Sequence, residues 1–398
     1  MDITIHPKKL NGTIPAIPSK SQAHRILICA AFSDGPTQII CSAVNEDIEA
    51  TADCLRALGA SISRTADGYF VKPVTQLPEK AVLNCRESGS TLRFLLPIVG
   101  ALGVDTTFVL GGRLPNRPLS PLWEEMERMG CRLCRPTSTT IHCSGKLNSG
   151  KYMISGNVSS QFISGLLFAL TLIPGKSRLI ITDPIESRPY IEMTQRVLAL
   201  FGVVTDDYML SNSHLLKSPG KITVEGDWSN AAFFLTAQAL GSKVCVSGLD
   251  LSSPQGDKAI LDILSQLNAF TEIPAQDIPD LVPILAVAAA ANYGAKFCAI
   301  SRLRLKESDR IATVCEMLQN FGIEATADEC SLIVHCGAFH GCVIDSHNDH
   351  RIAMAAAIAA TIAAGPVTIL GAECVSKSYP SFWEEYKSAG GQYEQYIR

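Results

Sequence analysis

The 398-residue chain has no block of lysine and arginine, and its net charge is −4. Nucleic acid and an anionic membrane surface are therefore poor partners, and any anion must be met by a local cluster. Long hydrophobic runs are missing too. The longest, 281–291 and 352–364, are Ala-rich and fall short of the roughly 20 residues that span a bilayer. The start, MDITIHPKKL, lacks a signal-peptide apolar core. Fourteen cysteines form no paired CxxC motif, and CRLC at 131–134 has no second pair or histidine cluster beside it. They read as reduced thiols, and a soluble cytoplasmic protein is expected. There is no GxxxxGK[ST] loop, no GxGxxG after a strand, no GxSxG elbow and no histidine pair at zinc spacing. Gly-Lys-Ser at 175–177 reads as a loop after a helix.

What is present is a large apolar fraction, 47%, enough for two domains of about 200 residues. One pattern recurs: amphipathic helix, glycine, strand, turn, strand. DIEATADCLRALGASISRTADGYFVK and SDRIATVCEMLQNFGIEATADECSLIVHC are two examples. The closing glycines are Gly59, Gly130, Gly202, Gly322 and Gly390, each suited to a left-handed helix C-cap. One member, AILDILSQLNAF, lacks the glycine near Ala269. A second helix type alternates with the first, polar at its start and then almost wholly apolar. Its starts fall near 21, 88, 159, 229, 280 and 349, a step of about 66 residues. Six units of two helices and roughly four short strands are expected. The apolar helices, having no wet face, belong in the middle of each domain.

The polar starts carry chemistry. Lys20, Ser21 and Arg25 sit on the first; a helix N-terminus with its free N–H groups suits phosphate. Arg117 lies in a Pro- and Gly-rich loop, Arg310 ends KESDR, and Lys377 lies in CVSKSYP. A lone surface arginine is usually a solvated charge. Arg93 and Arg351, however, enter otherwise apolar helices, where an unpaired charge costs several kcal/mol. Ser159, Ser160 and Gln161 open another helix, and Ser187 precedes Arg-Pro-Tyr. One serine per site is explained by capping; consecutive serines followed by glutamine fit a phosphate better. Asp280, Glu307 beside Lys306, and Asp349 beside His350 are the carboxylates. Each alone is a dipole partner; among cations, an ionised carboxylate also serves as a proton acceptor.

In order along the chain, PSKSQAHR, ESGSTLRF, NVSSQF, ESRPYIEMT, LRLKESDR, NDHRIAM and VSKSYPSFW resemble the successive motifs of the 5-enolpyruvylshikimate-3-phosphate (EPSP) synthase family, part of the enolpyruvyl transferases. The resemblance implies an α/β fold of two similar domains, each a threefold assembly of βαββαβ units with buried helices, and an active site in the cleft between them. The expected boundaries are 19–227 for a first domain, mainly binding shikimate 3-phosphate. A second, 1–18 with 228–398, would bring phosphoenolpyruvate contacts and catalytic carboxylates. It implies transfer of the enolpyruvyl group of phosphoenolpyruvate to the 5-hydroxyl of shikimate 3-phosphate, through a tetrahedral intermediate, with no metal or organic cofactor. A monomer acting on these two small molecules is expected.

By matching position, Lys20, Ser21, Arg25, Ser159, Ser160, Gln161, Ser187, Tyr190, Asp280 and Lys306 would hold shikimate 3-phosphate. Lys20, Gly89, Arg93, Arg117, Gln161, Arg310, Arg351 and Lys377 would hold phosphoenolpyruvate. Base work is assigned to Asp280, proton delivery to Glu307 or Lys20, and charge stabilisation to Lys377. Two departures stand out. Pro18 runs directly into Ser19, and Arg86-Glu87-Ser88-Gly89-Ser90 replaces the family's Gly-Asn-Ala-Gly-Thr. Glu87, at the asparagine's place, is expected to turn away from the anionic ligand or pair with Arg86. The rival readings are the sister transferase acting on UDP-N-acetylglucosamine, which would use a loop cysteine, and a non-catalytic anion-binding scaffold. An RNA-processing relative would need a basic surface.

Overall fold

The computed structural model describes residues 1–205, 208–211 and 216–396. The chain divides into two compact bodies, one of Pro18–Val224 and one of Met1–Ile17 with Glu225–Arg398.

In the first body the polar-start helices are α1 (Lys20–Ala31), α3 (Gly89–Leu102) and α5 (Ser160–Leu172). The amphipathic ones are α2 (Glu46–Ala57), α4 (Leu122–Arg128) and α6 (Arg188–Leu200). The second body repeats the scheme with α7 (Trp228–Ala239), α9 (Val282–Ala290) and α11 (His350–Ala360), against α8 (Ile260–Gln266), α10 (Arg310–Asn320) and α12 (Phe382–Ser388). Helices α9 and α11 are buried along their whole length, and α7, α9 and α11 pack on one another. The helix starts read from the sequence are borne out: Ser19, Ser88, Ser159, Asp227 and Asp349 each accept a capping bond from a backbone N–H.

Among the described residues, six sheets carry the repeat. In the fullest, Lys80–Arg86 runs parallel to Asp105–Leu110, and α3 makes the crossover between them. Thr140–Gly145 then pairs antiparallel, with Cys131–Thr137 outside it. The same order recurs in four of the sheets. The expected closing glycines all have positive φ, from 82° at Gly202 to 118° at Gly130, so each helix end can turn back toward the strand that follows it. Pairing of strands far apart in sequence closes each body. Lys221–Thr223 returns to pair with Thr37–Ile40, while Asp2–His6 and Asn11–Pro15 complete sheets with Val367–Leu370 and Lys243–Ser247.

The expectation of four strands per unit fails in the fourth. Its sheet has two strands, Asn11–Pro15 and Lys243–Ser247. After α8 the next strand, Thr271–Pro274, already belongs to the following sheet. The chain there passes on to the next sheet instead of turning back on its own, and no glycine stands near Ala269. The third sheet shows three strands among the described residues; 206–207 and 212–215 of that repeat lie outside them.

One close approach sets the geometry of the first body. A Cβ on Gly165 of α5 would run into the carbonyl oxygen of Arg93 and lie 3.0 Å from Pro97 Cγ. Glycine therefore lets α5 cross α3 backbone to backbone, with Phe94 and Phe168 edge to face beside the crossing, centroids 5.6 Å apart.

Candidate active site

In the body of residues 18–224, the crossing of α3 and α5 places Arg93 beside Gln161. Arg93 Nη1 donates to Gln161 Oε1 (2.9 Å), and Nη2 donates to the carbonyl of Pro118 (3.2 Å). Gln161 Nε2 donates in turn to Ser90 Oγ (2.9 Å). Arg117, on the loop that follows strand Asp105–Leu110, reaches the same spot. A Cβ on Gly89 would stand 2.8 Å from Arg117 Nη1 and 2.9 Å from Arg93 Nη1. Two guanidinium tips thus converge over a residue with no side chain, at the N-terminus of α3. That is a donor set for a carboxylate or phosphate.

Arg25 lies deeper, 2% exposed. Its guanidinium donates to Thr194 Oγ1 (2.8 Å) and to the carbonyls of Ser21 (2.6 Å) and Tyr190 (2.9 Å), and lies over the Phe94 ring. Burial brings it down to about 10. Ser159 caps α5 by accepting from Gln161 N (3.3 Å), so the capping reading holds for it. Ser160 is the first residue of the helix. Ser187 precedes α6 in a left-handed conformation, φ 55°, and its side chain makes no capping bond. A non-glycine residue is uncommon in that region. Lys20 pairs with Asp47 in the first turn of α2, Nζ to Oδ2 3.0 Å.

Two features here escaped the sequence reading. Asp47 looked like one more acidic residue at a helix start. His24, Thr51, Thr91 and Ser88 form a buried chain, with His24 Nδ1 2.7 Å from Thr51 Oγ1, and Thr51 and Thr91 hydroxyls 2.7 Å apart. The chain ties the starts of α1, α2 and α3 together. Burial, then Lys20 and Arg25, keeps the His24 imidazole well below its usual value and hence neutral. Only the fold brings these residues into register.

The second body gathers Asp280, Lys306, Glu307, Arg310 and Arg351. Asp280 Oδ1 accepts from Arg310 Nη1 (2.7 Å), with Lys306 Nζ at 3.6 Å; Oδ2 accepts from Arg351 Nη2 (3.0 Å). Arg310, 1% exposed, also donates to Glu307 Oε2 (2.7 Å) and to Asp349. Burial works against the charge of Arg310, but Asp349, Glu307 and Asp280 outweigh it and raise the group above its ordinary range. Burial pulls Lys306 down to about 8 against the attraction of Asp280. Lys377 Nζ donates to the carbonyl of Asn348 (3.1 Å), next to Asp349. Arg351 meets the carboxylate of Asp280. Arg93 makes hydrogen bonds to Gln161 and Pro118.

Asp257, just before α8, was invisible in the sequence. It is 3% exposed and accepts a hydrogen bond from Ser229 Oγ. Burial, and then the charge of Asp280, pushes it up to about 7. Among the described residues, no group of three or more His, Cys, Asp or Glu is placed to hold a metal ion, and no helix is long and apolar enough to cross a membrane.

Relatives share this arrangement of the chain. The Clostridium kluyveri 3-phosphoshikimate 1-carboxyvinyltransferase is 37% identical, covering 99% of this chain and 98% of its own. That of Clostridium perfringens is 38% identical, with 98% of each covered. Among solved structures, the EPSP synthase of Acinetobacter baumannii superposes with a TM-score of 0.80 at 25% identity, over 99% of this chain and all of its own. An enolpyruvyl transferase from Streptomyces tendae shares the fold at 16% identity, with a TM-score of 0.78, over 99% of this chain and 98% of its own. The family model for EPSP synthase (3-phosphoshikimate 1-carboxyvinyltransferase) matches residues 5–386, and the chain belongs to that family.

Proposed function

We infer that this chain transfers the enolpyruvyl group of phosphoenolpyruvate to the 5-hydroxyl of shikimate 3-phosphate and releases phosphate, the shikimate-pathway activity of its family. The observation that carries the reading is the meeting of Arg93 and Arg117 over Gly89. Two substrates with about six negative charges between them need such cationic sites.

We assign the phosphoenolpyruvate anion to Gly89, Arg93, Arg117 and Gln161 of the first body, with Lys20, and to Arg310, Arg351 and Lys377 of the second. Shikimate 3-phosphate falls to Ser21, Arg25, Ser159, Ser160, Gln161, Ser187 and Lys20, with Asp280 and Lys306. Helix N-termini and hydroxyls suit its phosphate; the buried Arg25, with neutral hydrogen-bond acceptors, suits its carboxylate.

Asp280 takes the proton of the 5-hydroxyl, and that oxygen attacks C2 of phosphoenolpyruvate. Glu307 or Lys20 delivers a proton to the methylene carbon, which gives the tetrahedral intermediate. Loss of a proton from the new methyl group and departure of phosphate then restore the double bond. Lys377 stabilises the negative charge. A cytoplasmic monomer fits this role.

The test is incubation with shikimate 3-phosphate and phosphoenolpyruvate, following both phosphate release and the enolpyruvyl product. UDP-N-acetylglucosamine serves as the control acceptor. Turnover with the shikimate substrate alone is expected. Turnover with the nucleotide sugar, or phosphate binding without turnover, overturns the reading.

A further inference from the structure

Glu87 stands where the family resemblance leads one to expect a neutral asparagine, two residues before Gly89. A carboxylate facing an anionic ligand at 4 Å would repel it by about 1 kcal/mol even at the dielectric of water. The structure sends it elsewhere. The strand Lys80–Arg86 is irregular at its end, its register shifting between Asn84 and Arg86, and Arg86 takes φ 50°. This turn points the Arg86 guanidinium at Asp53 (2.8 Å) and its carbonyl at Gly111 N (2.6 Å).

Glu87 is carried onto the same loop. Both of its carboxylate oxygens lie 2.7 Å from where a Cβ on Gly112 would stand. Gly112 has φ 51°, so a side chain there would be strained as well as obstructed. From Gly112 the loop is compact. Leu114 N donates to Gly111 O (3.1 Å), Asn116 N to Arg113 O (3.0 Å), and Arg117 N to Leu114 O (3.2 Å). What fixes Gly112 therefore fixes Arg117. The far end of the loop is held by Arg93, through Pro118.

We propose that Glu87 is a positioning residue for Arg117: seated on Gly112, its carboxylate holds the 111–118 loop so that Arg117 and Arg93 converge over Gly89. The proposal rests on the reading that these two arginines receive phosphoenolpyruvate, and it makes Glu87 a determinant of affinity for that substrate in particular.

The experiment is steady-state kinetics of the full chain and of Glu87→Ala and Glu87→Gln, with thermal unfolding of each. Loss of the contact should raise KM for phosphoenolpyruvate about tenfold, since small misplacements of a positioning group are costly. The kcat and the KM for shikimate 3-phosphate should stay within about twofold of the parent. Glu87→Gln, which keeps the length of the side chain, should fall between Ala and the parent. A KM for phosphoenolpyruvate that stays put or falls overturns the proposal, as does a loss of thermal stability with no change in that KM, or equal loss on both substrates. Absence of turnover by the unaltered chain would instead sink the functional reading, and the role of Glu87 with it.

Discussion

Arg310 and Asp349 form a buried two-bond ion pair, Nε to Oδ2 at 2.8 Å and Nη2 to Oδ1 at 3.3 Å. Asp349 is wholly buried and also caps α11, accepting from Arg351 N (3.0 Å). The pair therefore locks the start of α10 to the start of α11. Arg310→Lys keeps the charge but loses the fork. We expect it to lower stability by roughly 1–3 kcal/mol, the cost of leaving buried acceptors without their hydrogen bonds. Urea unfolding checks this; a loss below about 1 kcal/mol would mean that Ser308 and the helix end alone satisfy Asp349.

Asp280 is both the proposed base and the shared anion of Arg310, Arg351 and Lys306. Any neutral replacement therefore also breaks this charge cluster, and alanine opens a void besides. Asp280→Asn retains the shape. We expect kcat to fall by about 10²–10⁴-fold, the range of general-base catalysis. Both KM values should shift by only a few-fold. Unchanged turnover would remove Asp280 from the proton path.

Asp257 links pH to stability. Its acid is held up to about 7 in the folded state, by burial and then by Asp280, whereas the unfolded carboxyl sits near 3.8. Between these values the folded chain holds a proton that the unfolded chain has lost. The stabilising contribution is thus complete below about pH 4 and lost as pH rises through about 7. Asp257→Asn should lack this slope. The difference in melting temperature, variant minus parent, should grow between pH 5 and 8; a constant difference would show that Asp257 ionises normally.

Gly165→Ala should disturb both structure and function. The new methyl would press on the Arg93 carbonyl, which overpacks the crossing of α3 and α5 at a cost of about 1–3 kcal/mol. It should also move Arg93 away from Gln161 and raise KM for phosphoenolpyruvate. Normal stability would show that the crossing can relax.

Much of the repeat was legible in the sequence. Polar residues before apolar runs marked the starts of the buried helices, because a helix end must satisfy its N–H groups wherever it lies. The closing glycines marked the turns, because few other residues take a left-handed cap without strain. The fourth unit was misread: AILDILSQLNAF reads as helix whether or not a hairpin follows, and strand pairing is not a local property. Cationic residues at helix starts were likewise visible as candidates. Their partners were not, since Arg351 and Asp280, or Lys20 and Asp47, are far apart along the chain.

The order of residues alone determined near which residues the buried helices begin, where glycines end most of the amphipathic ones, and which helices carry charge into an apolar interior. Hydrogen-bond satisfaction and side-chain hydrophobicity act over a few residues and need no knowledge of the rest. Tertiary structure decided what each charge meets: that Arg117 reaches Gly89, that Asp257 lies within the field of Asp280, and that Glu87 lands on Gly112. Those outcomes depend on how helices cross and loops close, and at the distances of an ion pair a shift of a single ångström changes the partner.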